Sequence, residues 1–483
     1  MLNICSDAMK ISMVAIAVLS VFLVGCSRDD GKVHISYWEK WTGKEGEAMQ
    51  RTVDQFNRLQ KKNKDGKIIV VEYLSISNVD RKTIVATAGG DPPDVAGLWV
   101  SNVFSFADRN ALLPLDDFIK RDGMTTEQWL SRYYPVYADM CTYRGSTWAV
   151  PTTPTTYALY WNKAMFRAAG LDPERPPQTL AELDEFAEKL AKRDKDGKIV
   201  QLGFLPQEPG WAAWSFPQWF GGQLWDETEI TIGKNAANLE AYNWVEGYSR
   251  KYGLEQIKSF VSGFGNFSSP QNPFFSGQMA MVFQGVWLNN FIEQYAPGME
   301  YGCAPWPTAK PGLENFTVAD ADLVMIPRGA KHPDEAWEFI KFISSINENA
   351  QTEEELFGME LVCYGQQKNS PMRVWSPFFA QKHPHPYIKV FRDQAASPNA
   401  IHYPKIGIWQ EYTREVSQVF EKVRLLAKSP EEALAFAQKR VSESWELHQR
   451  SLARRKSNDV GRVTPHGESH TAASGDEAYK QTP

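Results

Sequence analysis

Apolar residues along the amino-terminal part of the chain fall into alternating strand and helix patterns. Val33 to Trp38 reads as a strand, and Glu45 to Gln60 as an amphipathic helix with Met49, Val53, Phe56 and Leu59 on one face. Ile68 to Leu74 follows as a second strand, so the chain opens β-α-β, a unit that predicts parallel strands. A short helical pattern around Ile84 to Ala88 runs into the breaker cluster Gly89 to Val95 and then the apolar strand Val95 to Trp99.

A second α/β region begins near Trp148. It contains a strand at Tyr157 to Trp161 and a helix whose inner face carries Leu183, Phe186 and Leu190. Thr179 and Glu182 have the spacing of a capping box at the start of that helix. Met279 to Phe283 and Asp322 to Ile326 read as strands, and Pro333 to Ile346 as a helix with Pro in its first turn. Two helical patterns occupy Trp409 to His448, parted at Ser429-Pro430. Residues 451–483 contain almost no large apolar side chain and are expected to be a disordered tail.

The amino terminus has a different logic. Lys10 precedes the uncharged apolar run Ile11 to Val24, then come Gly25, Cys26 and a charged stretch, which is the order of a signal peptide over residues 1–25. The run is shorter than the ~20 residues a helix needs to cross a bilayer, which argues against a membrane span. Leu23-Val24-Gly25-Cys26 resembles the bacterial lipobox, and that resemblance implies a lipid anchor on Cys26 and a place in the cell envelope, facing the periplasm or the outside. Met1 and Met9 both remain open as the start.

With 483 residues, 43% hydrophobic and 23% charged, the chain suits two or three ordinary globular domains. A net charge of -6 without a basic block disfavours nucleic acid as a partner. Beyond Cys5 and Cys26, the odd set Cys141, Cys303 and Cys363 permits at most one disulfide, shows no metal spacing, and fits buried thiols better. His383-Pro384-His385 is too little for a metal site, and its prolines suggest a surface loop. No cofactor is expected.

Four blocks in order carry a family likeness: Gly89 to Val95 (GGDPPDV); Ala149 to Leu183, with YWNK and PPQTLAEL; Phe275 to Trp287 (FSGQMAMVFQGVW); and Ile326 to Ile343 (IPRGAKHPDEAWEFIKFI). Together they resemble the extracellular solute-binding proteins of ABC sugar importers, the group of the maltose-binding protein. The resemblance implies an α/β, two-lobed periplasmic-binding-protein-like fold (type II), with a ligand cleft between lobes joined by hinge strands. It places one lobe at residues 31–146 plus 308–347 and the other at 147–307 plus 348–450. It further implies a monomer that captures a mono- or oligosaccharide and docks on ABC permease subunits.

A sugar offers flat C–H faces edged by hydroxyls, so its site needs aromatic platforms with directed polar groups. The chain has 17 Trp to choose from. Trp38 to Gly43 ends the first strand, where open α/β sheets place their crevice, and makes Glu39, Trp41 and Thr42 candidates, with Trp99 at the end of a later strand. The family likeness adds Glu208, Trp211 and Trp214 from a Trp-rich loop, Trp287 from the Gly-x-Trp at the end of a strand, and Trp409, whose ordinary reading is a core residue. Thr152, Thr153, Thr155, Thr156 and Tyr157 cluster just beyond a predicted hinge crossing, where their hydroxyls can reach the cleft, and Arg373 and Trp375 are rim candidates. Asp320 and Asp322 put carboxylates where the family often has a Gly pair and are both ligand candidates; Asp320 could take sugar hydroxyls or the cationic group of an amino sugar, or belong to a solvated turn.

Two other classes compete. A glycoside-active enzyme would also use Trp platforms, with two carboxylates at a fixed separation, but GxSxG, HExxH and GxxxxGK[ST] motifs are absent from the sequence. A surface glycan-binding lipoprotein outside any ABC system would not need a chain that crosses a hinge several times.

Overall fold

The computed structural model describes residues 30–266 and 268–462. Cys26, the expected signal segment and the tail after Arg462 lie outside the described residues. The elements that position the site are strand β1 (Val33–Glu39), helix α1 (Gly43–Arg58), β2 (Ile69–Ser75), α2 (Val79–Gly89), β3 (Val95–Trp99), β4 (Val150–Asn162), α3 (Leu180–Lys189), β5 (Met281–Gly285), α4 (Leu288–Tyr295), β6 (Tyr301–Ala304), β7 (Thr317–Met325), α5 (Pro333–Ile343), α6 (Met359–Gly365), β8 (Ala400–Ile401), α7 (Trp409–Arg424) and α8 (Pro430–Arg462).

The opening β-α-β unit pairs as its pattern predicts. β1 runs parallel to both β2 and β3, with Val33 opposite Ile69 and Tyr37 opposite Val95. The alternation of β1 buries Val33, Ile35, Tyr37 and Glu39 on one face, against α1 residues Met49, Val53 and Phe56 and α5 residues Phe339 and Ile340.

One eight-stranded sheet serves both lobes, in the order β6-β4-β7-β3-β1-β2, with β5 also on β4 and β8 on β7. β4 is long and buried throughout. Its first half, to Thr156, pairs antiparallel with β7; its second half, from Tyr157, pairs with β5 and β6. β7 likewise pairs with β8 at Thr317 and Val318 and with β3 from Asp322 onward. Two strands therefore pass from one lobe to the other, which is the hinge.

Three expectations change. β7 starts at Thr317, earlier than the strand expected from Asp322, so Asp320 also lies inside a strand and forms no turn. Of the stretch 348–450 expected in the second lobe, Ala350, Leu356, Met359, Val362, Cys363, Met372 and Phe379 join the core of the first, because α6 buries its apolar face against α1. The expected tail from 451 is helical through Arg462, and Arg455 Nη1 donates to the carbonyl of Asp108 (3.1 Å), holding α8 against the first lobe.

The second-lobe core gathers Tyr160, Phe186, Trp219, Phe283, Trp409 and Val441. Cys141, Cys303 and Cys363 are free and buried. His385 is only 1% exposed and His383 half-buried while Pro384 and Pro386 are exposed, so the segment is a surface loop that turns His385 into the interior. Burial lowers the two imidazoles to about 4 (His383) and about 3 (His385). Among the described residues there is no group of His, Cys, Asp and Glu suited to a metal, and no helix long and apolar enough to cross a membrane.

Candidate functional site

A cleft of about 540 Å³ opens at the hinge, within the range of about 300–1,000 Å³ usual for small-molecule sites. Its floor follows from strand periodicity. On β4, Thr153, Thr155 and Tyr157 face one way; on β7, Asp320 and Asp322 lie opposite Thr155 and Thr153 and share that face. Trp99 is the register partner of Asp322 on the other side.

The first-lobe wall is Lys40, Trp41, Thr42 and Glu45 from the β1–α1 junction, with Trp99 and Lys368. The second-lobe wall is Trp211, Trp287 and Phe291. Trp287 meets Tyr157 edge-on at 5.6 Å between ring centroids and Trp211 at 5.8 Å. Its ring lies directly over Gly285, where a Cβ would stand 2.5 Å from the indole; a residue with a side chain there would push the ring away. The hydroxyl of Thr155 accepts from Val286 N (3.1 Å) and donates to the carbonyl of Thr156 (3.0 Å), so Thr155 fixes the loop that carries Trp287.

Charge in the cleft is largely spent internally. Lys40 Nζ lies 2.6 Å from Asp322 Oδ1 and 2.9 Å from Glu39 Oε1. Lys368 Nζ lies 2.9 Å from Glu45 and 3.9 Å from Asp322. Burial alone would push the Asp322 carboxyl up, but Lys40 and Lys368 outweigh it and hold it below the usual carboxylate range. Lys40 also stands 4.9 Å from the Trp41 ring centre and 4.8 Å from that of Trp99.

Asp320 differs. No cation lies in salt-bridge contact with it among the described residues; it accepts from Tyr403 OH (3.2 Å) and from Ala321 N (2.8 Å). Burial, and next the negative charge of Asp322, push its carboxyl up to about 7. It can therefore present either a donor or an acceptor to a hydroxyl near neutral pH.

The structure gathers Trp41, Thr42, Trp99, Thr155, Tyr157, Trp211, Trp287, Asp320 and Asp322 of the sequence candidates around this cleft. It sets five elsewhere. Glu39 is the last residue of β1 rather than past it, and the two-residue period turns it inward; it is fully buried, accepts from Tyr37 OH (3.0 Å), and occupies space left by the missing side chain of Gly97. Trp214 stacks on Tyr403 at 4.9 Å and meets Trp409 at 5.5 Å. Trp409 itself is 1% exposed and belongs to the core. Glu208 lines a separate depression beside Arg424, where burial pushes it up to about 7. Arg373 is exposed and donates to the carbonyl of Tyr133 (2.8 Å).

Thr153, one of the hydroxyls expected beyond the hinge crossing, lines the cleft as well, and Lys40, Glu45, Phe291 and Lys368 join it as residues that the sequence reading does not single out. Lys40 sat between two nominated neighbours and was readable. Lys368 had no local signal, because only the return of residues 348–379 to the first lobe brings it there.

A family model described as bacterial extracellular solute-binding protein matches residues 40–346. The chain belongs to that family. Among its relatives, the maltotriose-binding protein of Pyrococcus abyssi is 24% identical over 265 residues, 54% of this chain and 52% of that one. The sn-glycerol-3-phosphate-binding periplasmic protein UgpB of Escherichia coli K12 is 26% identical over 302 residues, 60% of this chain and 65% of its own. The chain thus spans about half to two thirds of the curated relatives it matches. The solved structure of CpMnBP1 with mannotriose bound is 28% identical with a TM-score of 0.69, covering 84% of this chain and 99% of that one. The sugar-binding protein MalE of Xanthomonas citri, 20% identical with a TM-score of 0.66 over 90% of this chain and 100% of its own, shares the two-lobed solute-binding fold.

Proposed function

We propose that this family member is the extracellular solute-binding component of an ABC importer, which captures a neutral carbohydrate in the hinge cleft and delivers it to membrane permease subunits. The observation that carries this is the pairing of aromatic walls from both lobes, Trp99 against Trp211 and Trp287, across a floor of hydroxyls and carboxylates on the two hinge strands. Rings on opposite lobes can grip the two faces of a sugar only when the lobes close, so binding energy shifts the population from open to closed and no covalent chemistry is required. In this reading the protein is no enzyme. The lipid on Cys26 would tether a monomer to the membrane on its periplasmic or outer side.

The name of one relative raises glycerol phosphate as a ligand. A phosphate would need uncommitted cations, and Lys40 and Lys368 already answer Asp322, Glu39 and Glu45. This supports a neutral saccharide.

Calorimetry and thermal shift with mannobiose, mannotriose, maltotriose and sn-glycerol-3-phosphate test the reading. A saccharide at about 100 times its Kd should stabilise the protein by about 2.7 kcal/mol. Silence from every saccharide, or turnover of a glycoside, would overturn it.

A further inference from the structure

Most polar groups at the cleft floor already have partners. Lys40 and Lys368 answer Asp322, Glu39 and Glu45, and Thr153 donates to Asp322 Oδ2 at 3.0 Å. The Thr155 hydroxyl is taken by Val286 N and the carbonyl of Thr156. Two groups stay open. Tyr157, only 7% exposed, lines the cleft, and its hydroxyl makes no hydrogen bond among the described residues. Unlike Trp287 Nε1, which is sealed away without a partner, this hydroxyl reaches the cleft surface. Asp320 is the other: it is the one residue of β7 that is not buried, and its carboxyl bonds Ala321 N through Oδ1 (2.8 Å) and Tyr403 OH through Oδ2 (3.2 Å). A carboxylate has about four acceptor sites, so about two remain for a guest.

Tyr403 is itself held from two sides. Its ring stacks on Trp214 at 4.9 Å and meets Trp409 at 5.5 Å, in the second lobe. Its neighbours tie the same loop to the first lobe: His402 Nε2 lies 2.8 Å from Asp139 Oδ2, and Lys405 Nζ pairs with Asp139 and donates to Thr142 Oγ1 (3.0 Å). The Tyr403 hydroxyl therefore has a fixed place from which to orient the Asp320 carboxyl.

We propose that Asp320 is the residue that reads the hydroxyls of the bound saccharide, and that Tyr403 is its positioning residue, holding Oδ2 so that the free lone pairs face the cleft. This rests on the saccharide reading of the cleft. Hydroxyls that donate to an ionised carboxyl form charge-assisted bonds, roughly twice as strong as neutral ones. Binding is then favoured by the ionised form of Asp320, and affinity rises as that carboxyl loses its proton.

The titratable and charged groups facing Asp320 are Asp322 on β7, Lys40 from the β1–α1 junction, Tyr157 on β4, Tyr403, and Tyr137 of the helix Pro135–Met140. Asp322 is held below the usual carboxylate range, and burial lifts all three tyrosines. Lys40 is lifted too, since Asp322 and Glu39 outweigh its burial. Asp320, pushed up to about 7 by burial and then by Asp322, is the one of this set that changes charge near neutrality, and the Tyr403 hydroxyl acts against that rise. Removing the hydroxyl moves the Asp320 titration to higher pH.

Calorimetry tests this with whichever of mannobiose, mannotriose and maltotriose binds the wild type most tightly, from about pH 5.5 to about pH 8.5. Wild-type affinity should rise about tenfold across that range. Asp320→Asn should bind about tenfold more weakly at about pH 8.5, with a flat profile; Glu208, also near 7 but in its separate depression, is unchanged in that variant. Tyr403→Phe keeps the ring stack; it should weaken binding about fivefold at about pH 7 and move the midpoint to higher pH, which a purely structural role would leave in place. A saccharide bound with an affinity indifferent to pH, or a Tyr403→Phe profile with the wild-type midpoint, would overturn this assignment and leave the cleft reading standing. Silence of the wild type toward every saccharide overturns the cleft reading and this assignment with it.

Discussion

Lys40 Nζ touches Asp322 at 2.6 Å and Glu39 at 2.9 Å, so one ammonium ties the end of β1 to the hinge strand β7. Two acids that as a sequence looked like ligand groups are thereby turned into scaffold. Replacing Lys40 by Met leaves both carboxyls buried without their nearest counter-charge, at an expected cost of about 3–5 kcal/mol. Lys40→Met/Asp322→Asn should recover a substantial part of the loss in urea denaturation. A double variant as unstable as the sum of its singles would show that the pair is not coupled.

Trp99 and Trp409 should separate ligand contact from core packing. Trp99 is 37% exposed and Trp409 1%. Trp99→Ala is expected to weaken saccharide binding at least about tenfold with little change in melting temperature. Trp409→Ala should cost about 3–5 kcal/mol of stability while the folded fraction keeps its affinity. Calorimetry beside thermal melts reads both, and a reversed pattern would exchange their roles.

Gly285 sets the position of Trp287. A Cβ at residue 285 would fall 2.5 Å from the indole, so Gly285→Ala should displace the ring, break its contact with Tyr157, and weaken saccharide binding to the level of Trp287→Ala. Adding Gly285→Ala to Trp287→Ala should cause little further loss. If the two effects simply add, Gly285 acts by another route.

Asp320 should imprint a pH dependence. Its folded carboxyl stands near 7, above its ordinary value near 3.8, first because of burial and then because of Asp322. Between those values the folded state holds a proton that the unfolded chain has lost, so this contribution to stability is full below the lower value and is lost as pH rises through about 7. Glu208 acts in the same sense through its own burial. Asp320→Asn should therefore gain stability relative to the wild type as pH rises from about 4 to about 8. Melting temperatures across that range that run parallel for the two proteins would refute the assignment.

The parallel opening of the sheet was legible because its strands are local and their apolar pattern is uninterrupted. Rings at strand ends, Trp41 and Trp99, were legible for a related reason, since the crevice rule depends on where a strand stops, and Trp287 was legible through the family's Gly-x-Trp. Glu39 was missed by one residue of strand boundary. The same alternation that buries Ile35 and Tyr37 also takes Glu39 inward, so its burial was there to be read once β1 was allowed to reach it.

Other features had no local signature. Trp214 is indistinguishable in sequence from a cleft tryptophan, and only its packing on Tyr403 and Trp409 removes it from the cleft, whereas the core place of Trp409 agrees with its ordinary reading. Periodicity and breakers by themselves determined the succession of α/β elements, because they act over a few residues; the two-lobed fold and part of the aromatic candidates for its cleft came from the family resemblance that the ordered blocks carry. Tertiary structure alone decided which acids are spent on Lys40, that Lys368 reaches the cleft, and that Asp320 stays without a cation. Those outcomes depend on contacts between residues hundreds of positions apart, where charge balance is settled by burial and distance that no local pattern encodes.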